Sequence, residues 1–338
     1  MGVIDADPSF DRWRRLPKVE LHFHLDTSIS FEVASVLVPG ISLDTFLAEF
    51  EAPPLVGSLT NFLVRAFRQV ALLQTDEALR LLTADVVPRL AADGVVWGEL
   101  RFAPLLHCEA GLTPEQAFRA VAETAAASGA AAGIDTGLIL CALRHFTEEQ
   151  SMATVRLVEQ FRAEGLTVGF DLAGDEIGFP LDAHLSAFAY AREHGLPFTV
   201  HAGESGGAEN VREVLDRLSP TRIGHGVHSA DEPPLMARLA ELGVHLEICP
   251  SCNVQTEVVP SYAEHPIQRL VDAGVRLGIS TDQRTITPIS LTLEYARLHE
   301  HFGWSEAEFR RHNLQALDAS FAPAETKSRL RAVIEAAG

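Results

Sequence analysis

The sequence predicts an α/β fold, a (β/α)₈ TIM-type barrel, on three observations. Eight short β-rich runs alternate with Ala/Leu-rich helical stretches. Polar residues of ligand and acid–base type gather at the ends of those runs. The length, 338 residues, is one that an α/β barrel fills as one domain, so residues 1–338 are read as a single unit.

The runs read as strands are Val19–His24, Val95–Phe102, Thr136–Leu143, Thr167–Leu172, Phe198–His201, Arg222–His225, Val244–Ile248 and Val275–Thr281. Between them lie amphipathic stretches at Thr75–Asp93, Pro114–Ser128, Gln150–Glu164, Leu181–His194 and Glu209–Leu218, several opened by Thr or Pro and closed by Gly. Parallel strands joined by crossover helices close into a barrel whose active site forms at the C-terminal strand ends. The segment between the first two strands is long, and Leu59 through Leu73 reads as an inserted amphipathic helix. Two roles are open to it, an apolar lid over the pocket or a packing decoration.

Composition narrows the partners. Hydrophobic residues make up 47% and charged residues 22%, enough apolar material for a large core. The formal net charge of −19 opposes phosphate backbones and anionic lipid, so neither nucleic acid nor a membrane is expected as a partner. The N-terminus lacks the apolar core of a signal peptide and no later stretch offers about 18 consecutive apolar residues, which gives a cytoplasmic expectation. Cys108, Cys141, Cys249 and Cys252 are too few for a disulfide framework and are read as reduced thiols. Cys249-Pro-Ser-Cys252 has redox or zinc spacing, but no second pair completes a four-thiolate site.

His22 and His24 stand two apart on a strand and so present both imidazoles to one face, with Val19, Leu21 and Phe23 on the other. Alone the pair is often incidental. His201 ends the fifth strand and Asp282 follows the eighth, and three imidazoles with one carboxylate at strand ends of one barrel make a site for zinc with room for water. Glu204 lies three residues beyond His201 across a Gly-containing turn, and His225 closes the sixth strand. Taken singly, Glu204 reads as a surface charge and His225 as a satisfied core histidine. Jointly with the ligands they form the constellation of a metal-assisted hydrolase.

The segments PKVELHFHLD, GFDLAGDE, HAGE, RIGHG, LEICPSCNVQ and STD, in that order, resemble the adenosine deaminase family of the amidohydrolase barrels from Leu16 to about Phe321. The resemblance implies one zinc ion held by His22, His24, His201 and Asp282. It implies Glu204 facing purine N1, His225 beside the attacking water, Asp26 at a sugar hydroxyl and the Gly174 backbone at purine N3. The expected reaction is hydrolytic removal of the 6-amino group of adenosine or a related 6-aminopurine nucleoside, giving an inosine-type product and ammonia. In that chemistry zinc brings the pKa of water toward neutrality, His225 or Asp282 orients the water and accepts its proton, and a protonated Glu204 donates to N1. The thiolate-ligand signature of cytidine-type deaminases is absent.

Two departures from the family pattern stand out. Thr27 and Ser28 occupy positions where a glycine follows HLD, and Asp282-Gln283-Arg284 replaces Asp-Asp-Pro. Gln283, a permanent amide donor, is a candidate for the N7 contact. Arg284 either grips an anionic group on the substrate or pairs with a neighbouring Asp or Glu. Two other readings are another amidohydrolase-superfamily hydrolase and a non-catalytic purine-binding protein. The first expects a bridging carboxylate or modified lysine after strand four, and Gly169–Asp175 contains no lysine.

Overall fold

Short runs rich in apolar residues become eight parallel strands in the computed structural model, which describes residues 8–57 and 59–337. They are β1 (Lys18–His24), β2 (Val95–Phe102), β3 (Asp135–Leu143), β4 (Val168–Ala173), β5 (His201–Ala202), β6 (Arg222–His225), β7 (His245–Ile248) and β8 (Arg276–Ile279). Two four-stranded sheets, β1-β2-β3-β4 and β5-β6-β7-β8, pair in sequence order. Single parallel bridges join them at both seams, Phe170 to Phe198 and Phe23 to Asp282. At the second seam His24 N–H donates to Asp282 O at 2.6 Å and Asp282 N–H donates to His22 O at 2.9 Å. The strands therefore follow one another around a single ring, as expected for a barrel.

Helices cover the ring. Those at Asp76–Ala92, Pro114–Ala132, Glu148–Ala163, Leu185–Glu193 and Ala208–Arg217 fall on the predicted amphipathic stretches. Capping boxes at Thr113 and Thr147 begin two of them, with Gln116 and Gln150 reaching back to the cap. Helices at Phe31–Leu37, Leu43–Phe50, Leu291–Phe302, Glu306–Ala319 and Ala324–Ala336 add to that layer. Outward-facing Val19 and Leu21 pack against Ala316, Leu317, Leu330 and Ile334 of the last two, while Phe23 joins the main core. No helix among the described residues is long and apolar enough to cross a membrane.

The barrel interior is charged. Arg101 on β2 reaches Glu247 on β7 at 2.6 Å and Asp171 on β4 at 2.8 Å, while Arg222 on β6 reaches Glu99 on β2 at 2.6 Å. These strands are not neighbours, so the side chains meet across the barrel centre. All five are buried, and three carboxylates against two guanidiniums leave formal negative charge beneath the strand ends.

Candidate active site

The site grows from the way the strands stop. His225 and Asp282 both adopt positive φ, +60° and +66°, a region costly for residues with a Cβ. At Asp282 this accompanies a tight turn in which Gln283 N–H donates to Thr281 O at 2.8 Å, turning the carboxylate inward from β8. Gly224 makes the histidine packing possible, because a Cβ there would stand 2.8 Å from His22 Cε1 and 3.4 Å from His201 Cγ.

Four donor atoms converge. His24 Nε2 lies 3.2 Å from His201 Nε2, and His22 Nε2 and His24 Nε2 each lie 3.4 Å from Asp282 Oδ1. The far sides of two rings are fixed. His22 Nδ1 meets Glu247 Oε2 at 2.9 Å, and His201 Nδ1 meets Asp171 Oδ2 at 3.2 Å. A ring that donates from Nδ1 to a carboxylate keeps a lone pair on Nε2. His22 Nε2 is buried and has no hydrogen-bond partner, an arrangement a cation satisfies. Burial, reinforced by Arg101 for His22 and by His201 for His24, holds these rings well below the usual imidazole range and so neutral. Burial also opposes ionisation of Glu247, but Arg222 and Arg101 outweigh it and bring its pKa down to about 2. Imidazoles whose Nδ1 atoms are held by buried carboxylates, with one carboxylate beside them, are a donor set for zinc or a similar divalent ion. His225 also lies close enough to His22, His201 and Asp282 to enter such a cluster, so geometry alone allows His24 or His225 as the third imidazole.

Asp282 Oδ2 faces away from that cluster. The Cys252 thiol donates to it at 2.8 Å and Gln283 Nε2 donates at 2.9 Å. Gln283 Nε2 also approaches Cys252 Sγ at 3.6 Å, and its Oε1 accepts from Thr27 Oγ1 at 3.3 Å. The amide hydrogens are thus directed at Asp282 and Cys252, and a contact with purine N7 would require one to be redirected. All four cysteines are free thiols.

Glu204 is buried beside this group, with Oε2 3.6 Å from His225 Nε2. Its turn is held by Glu176, whose carboxylate accepts from Gly203 N–H at 2.8 Å and Glu204 N–H at 2.9 Å. Burial above all, then the negative charges of Asp282 and Glu176, raise the Glu204 pKa well above the ordinary range, which favours the protonated carboxyl.

A pocket opens over these groups. Its polar wall is His24, Asp26, Thr27, Gly174, His201, Glu204, His225, Asp282 and Gln283, the expected site residues other than buried His22, with Thr27 added. Gly174 takes φ +104°, which presents its backbone to the cavity. Asp26 is set by Ala103 N–H, which donates to Oδ2 at 3.1 Å. The opposite wall is apolar. Phe62, Leu63, Ala66, Phe67 and Val70, one face of the helix Leu59–Leu72, roof the cavity, which is the lid role. Gln69 ties that helix down by accepting from Ile29 N–H at 3.0 Å.

Of the two readings of Arg284, ion pairing is the one found. Its Nη2 lies 2.8 Å from Asp93 and 3.1 Å from Glu20, buried under Phe23 and off the pocket, so it cannot grip a substrate anion. Ser28 likewise turns inward, donating to His24 O at 2.8 Å, and only Thr27 of the added hydroxyls reaches the cavity. Glu247, Asp171, Arg101, Arg222 and Glu176 were not singled out from the sequence. Their signal was present as charges inside runs otherwise fit for strands, or in the turn after one.

The adenosine deaminase family profile matches residues 17–337. The chain is 36% identical over 332 residues to the adenosine deaminase of Enterococcus faecalis, an alignment covering 96% of this chain and 98% of that protein. Among solved structures, adenine deaminase from Arthrobacter aurescens superposes with a TM-score of 0.86 at 26% identity, covering 95% of this chain and 98% of the other. An amidohydrolase from Burkhoderia ambifaria with bound zinc also superposes with a TM-score of 0.86, at 25% identity, covering 97% and 92%. With the strand-end cluster in place on the same barrel, this chain belongs to the adenosine deaminase family and is an aminohydrolase.

Proposed function

We propose that the chain hydrolyses the 6-amino group of a neutral 6-aminopurine, adenosine or a related nucleoside, releasing ammonia and an inosine-type product. The observation that carries this reading is a buried Glu204, its pKa raised by burial and by Asp282 and Glu176, beside a cluster of imidazoles and Asp282 in a pocket roofed by an apolar helix. His22, His24, His201 and Asp282 are the residues that would hold zinc, which supplies Lewis-acid activation of water at neutral pH.

The chain's own groups divide the remaining work. The Glu204 carboxyl donates to ring N1, which leaves C6 electron-poor and open to attack. Asp282 and His225 flank the position where the incoming oxygen meets C6. Asp26 and the Gly174 backbone, on the pocket wall, receive the sugar and N3 edges. Phe62, Leu63 and Phe67 cover the purine face and exclude bulk water, which strengthens every polar contact beneath them.

Substrate charge follows from the lining. Among the described residues no Lys or Arg lines the pocket, while Asp26, Glu204 and Asp282 do. A phosphate ester would find no cation there, so neutral purines are favoured over nucleotides. The test compares kcat/KM for adenosine, deoxyadenosine, adenine and AMP by the absorbance change of ring deamination. Adenosine or deoxyadenosine should exceed AMP by at least about 100-fold, roughly the cost of leaving one charged group without a partner; AMP turned over as well as adenosine contradicts the assignment.

A further inference from the structure

Behind His225 lies a chain of buried side chains whose hydrogen positions can be deduced. Ile267 N–H donates to His265 Nδ1 at 3.1 Å. A backbone N–H only donates, so Nδ1 is an acceptor. Burial takes the His265 pKa down to about 3, and the neutral ring must therefore carry its hydrogen on Nε2. His265 Nε2 faces Asn253 Oδ1 at 3.4 Å. That fixes the amide, because the reverse orientation would set its NH₂ against another N–H. Asn253 Nδ2 then donates to His225 Nδ1 at 3.2 Å. Asn253 is itself anchored, its N–H donating to Cys249 O and its carbonyl accepting from Val259 N–H, both at 3.0 Å. With Nδ1 an acceptor, neutral His225 carries its hydrogen on Nε2, the atom that faces the pocket and lies 3.6 Å from Glu204 Oε2.

We propose that Asn253 and His265 are positioning residues that lock His225 in its Nε2–H form. His225 is then a hydrogen-bond donor to the oxygen arriving at C6, and acceptance of the water proton falls to Asp282. The same lock resolves the choice of third imidazole. An Nε2 that carries hydrogen cannot ligate a cation and Nδ1 is occupied by Asn253, so His225 stays off the metal and His24 completes the set. The catalytic half of this inference rests on the deaminase reading; the tautomer does not.

Two variants test it. Asn253→Asp places an acceptor opposite His225 Nδ1 and should move the hydrogen from Nε2 to Nδ1. His265→Ala frees the Asn253 amide to turn and should do so in part. Ring ¹⁵N spectra of the zinc-loaded protein, labelled at histidine, should show His225 protonated at Nε2 in the parent and at Nδ1 in Asn253→Asp. Zinc content should be unchanged, kcat for adenosine should fall on the order of 100-fold, and KM should stay within about threefold, the signature of an interaction made in the transition state. A parent hydrogen on Nδ1, or a parent-like pattern in both variants, overturns the proposal. If the spectra move as expected and no purine is deaminated by the parent, the tautomer lock stands and the deaminase reading fails.

Discussion

Removing the charge of Glu247 tests how the barrel interior prepares the candidate metal site. Its carboxylate accepts from His22 Nδ1 at 2.9 Å, Arg101 at 2.6 Å, Arg222 Nε at 2.7 Å and Thr199 at 2.8 Å. Glu247→Gln keeps the shape but puts an NH₂ where one oxygen stood, so one pair of these donors meets another donor. The arginines lose their shared anion as well, and the local balance shifts from three carboxylates against two guanidiniums to two against two. Loss of a carboxylate that orients a ligating imidazole weakens metal binding by about 10–100-fold, or about 1.4–2.8 kcal/mol. Breaking a buried ion pair costs folding stability as well, about 3–5 kcal/mol. Zinc affinity by chelator competition and urea unfolding of the metal-free protein read the two effects separately. Parent-like zinc affinity in a folded Glu247→Gln variant would refute the idea that this network tunes the histidines.

Glu204→Gln should retain zinc and fold yet lose at least about 100-fold in kcat, because an amide cannot pass a proton to N1. In the parent the neutral acid is the working form, so kcat/KM should decline as pH rises through the raised Glu204 pKa, and a variant with parent kinetics removes Glu204 from the reaction. Arg284→Met leaves Glu20 and Asp93 buried without their cation and should cost about 3–5 kcal/mol in urea unfolding, while changing KM for adenosine and AMP by the same factor. A selective rise for AMP would reinstate the anion-binding role. Buried His245 and His312 have pKa values lowered from 6.5 to about 3 and about 4, chiefly by burial. The unfolded chain binds more protons between those values, so their contribution is fully present above about pH 6.5 and lost as pH falls toward 3. Urea midpoints should drop between pH 7 and pH 5, and less so in His312→Gln; equal midpoints in the parent contradict this.

The barrel was legible because parallel strands buried on both faces read as apolar runs, and β2 and β6 fall where the sequence placed them. The fifth strand was not. Phe198 contributes only a bridge to β4, while regular pairing begins at His201, because this segment is the seam between two sheets. The fourth strand shifts one residue onward, to Val168–Ala173, with the same seam. Within the candidate site, the grouping of His22, His24, His201, Glu204 and Asp282 was legible from their positions at or just past strand ends, a local signal. The charged network was not, since its partners are separated by 70, 123 and 146 positions and each looks alone like a misplaced surface charge. The fate of Arg284 escaped for the same reason, as its partners stand on β1 and beside β2.

The most direct measurement of the proposed zinc-assisted ring deamination is ammonia released from adenosine against metal bound per chain. One ammonia per inosine formed, activity rising in proportion to zinc up to about one ion per chain, and loss of both activity and bound zinc on chelation are expected. Full turnover by metal-free protein, or no ammonia from any 6-aminopurine by zinc-loaded protein, would contradict it.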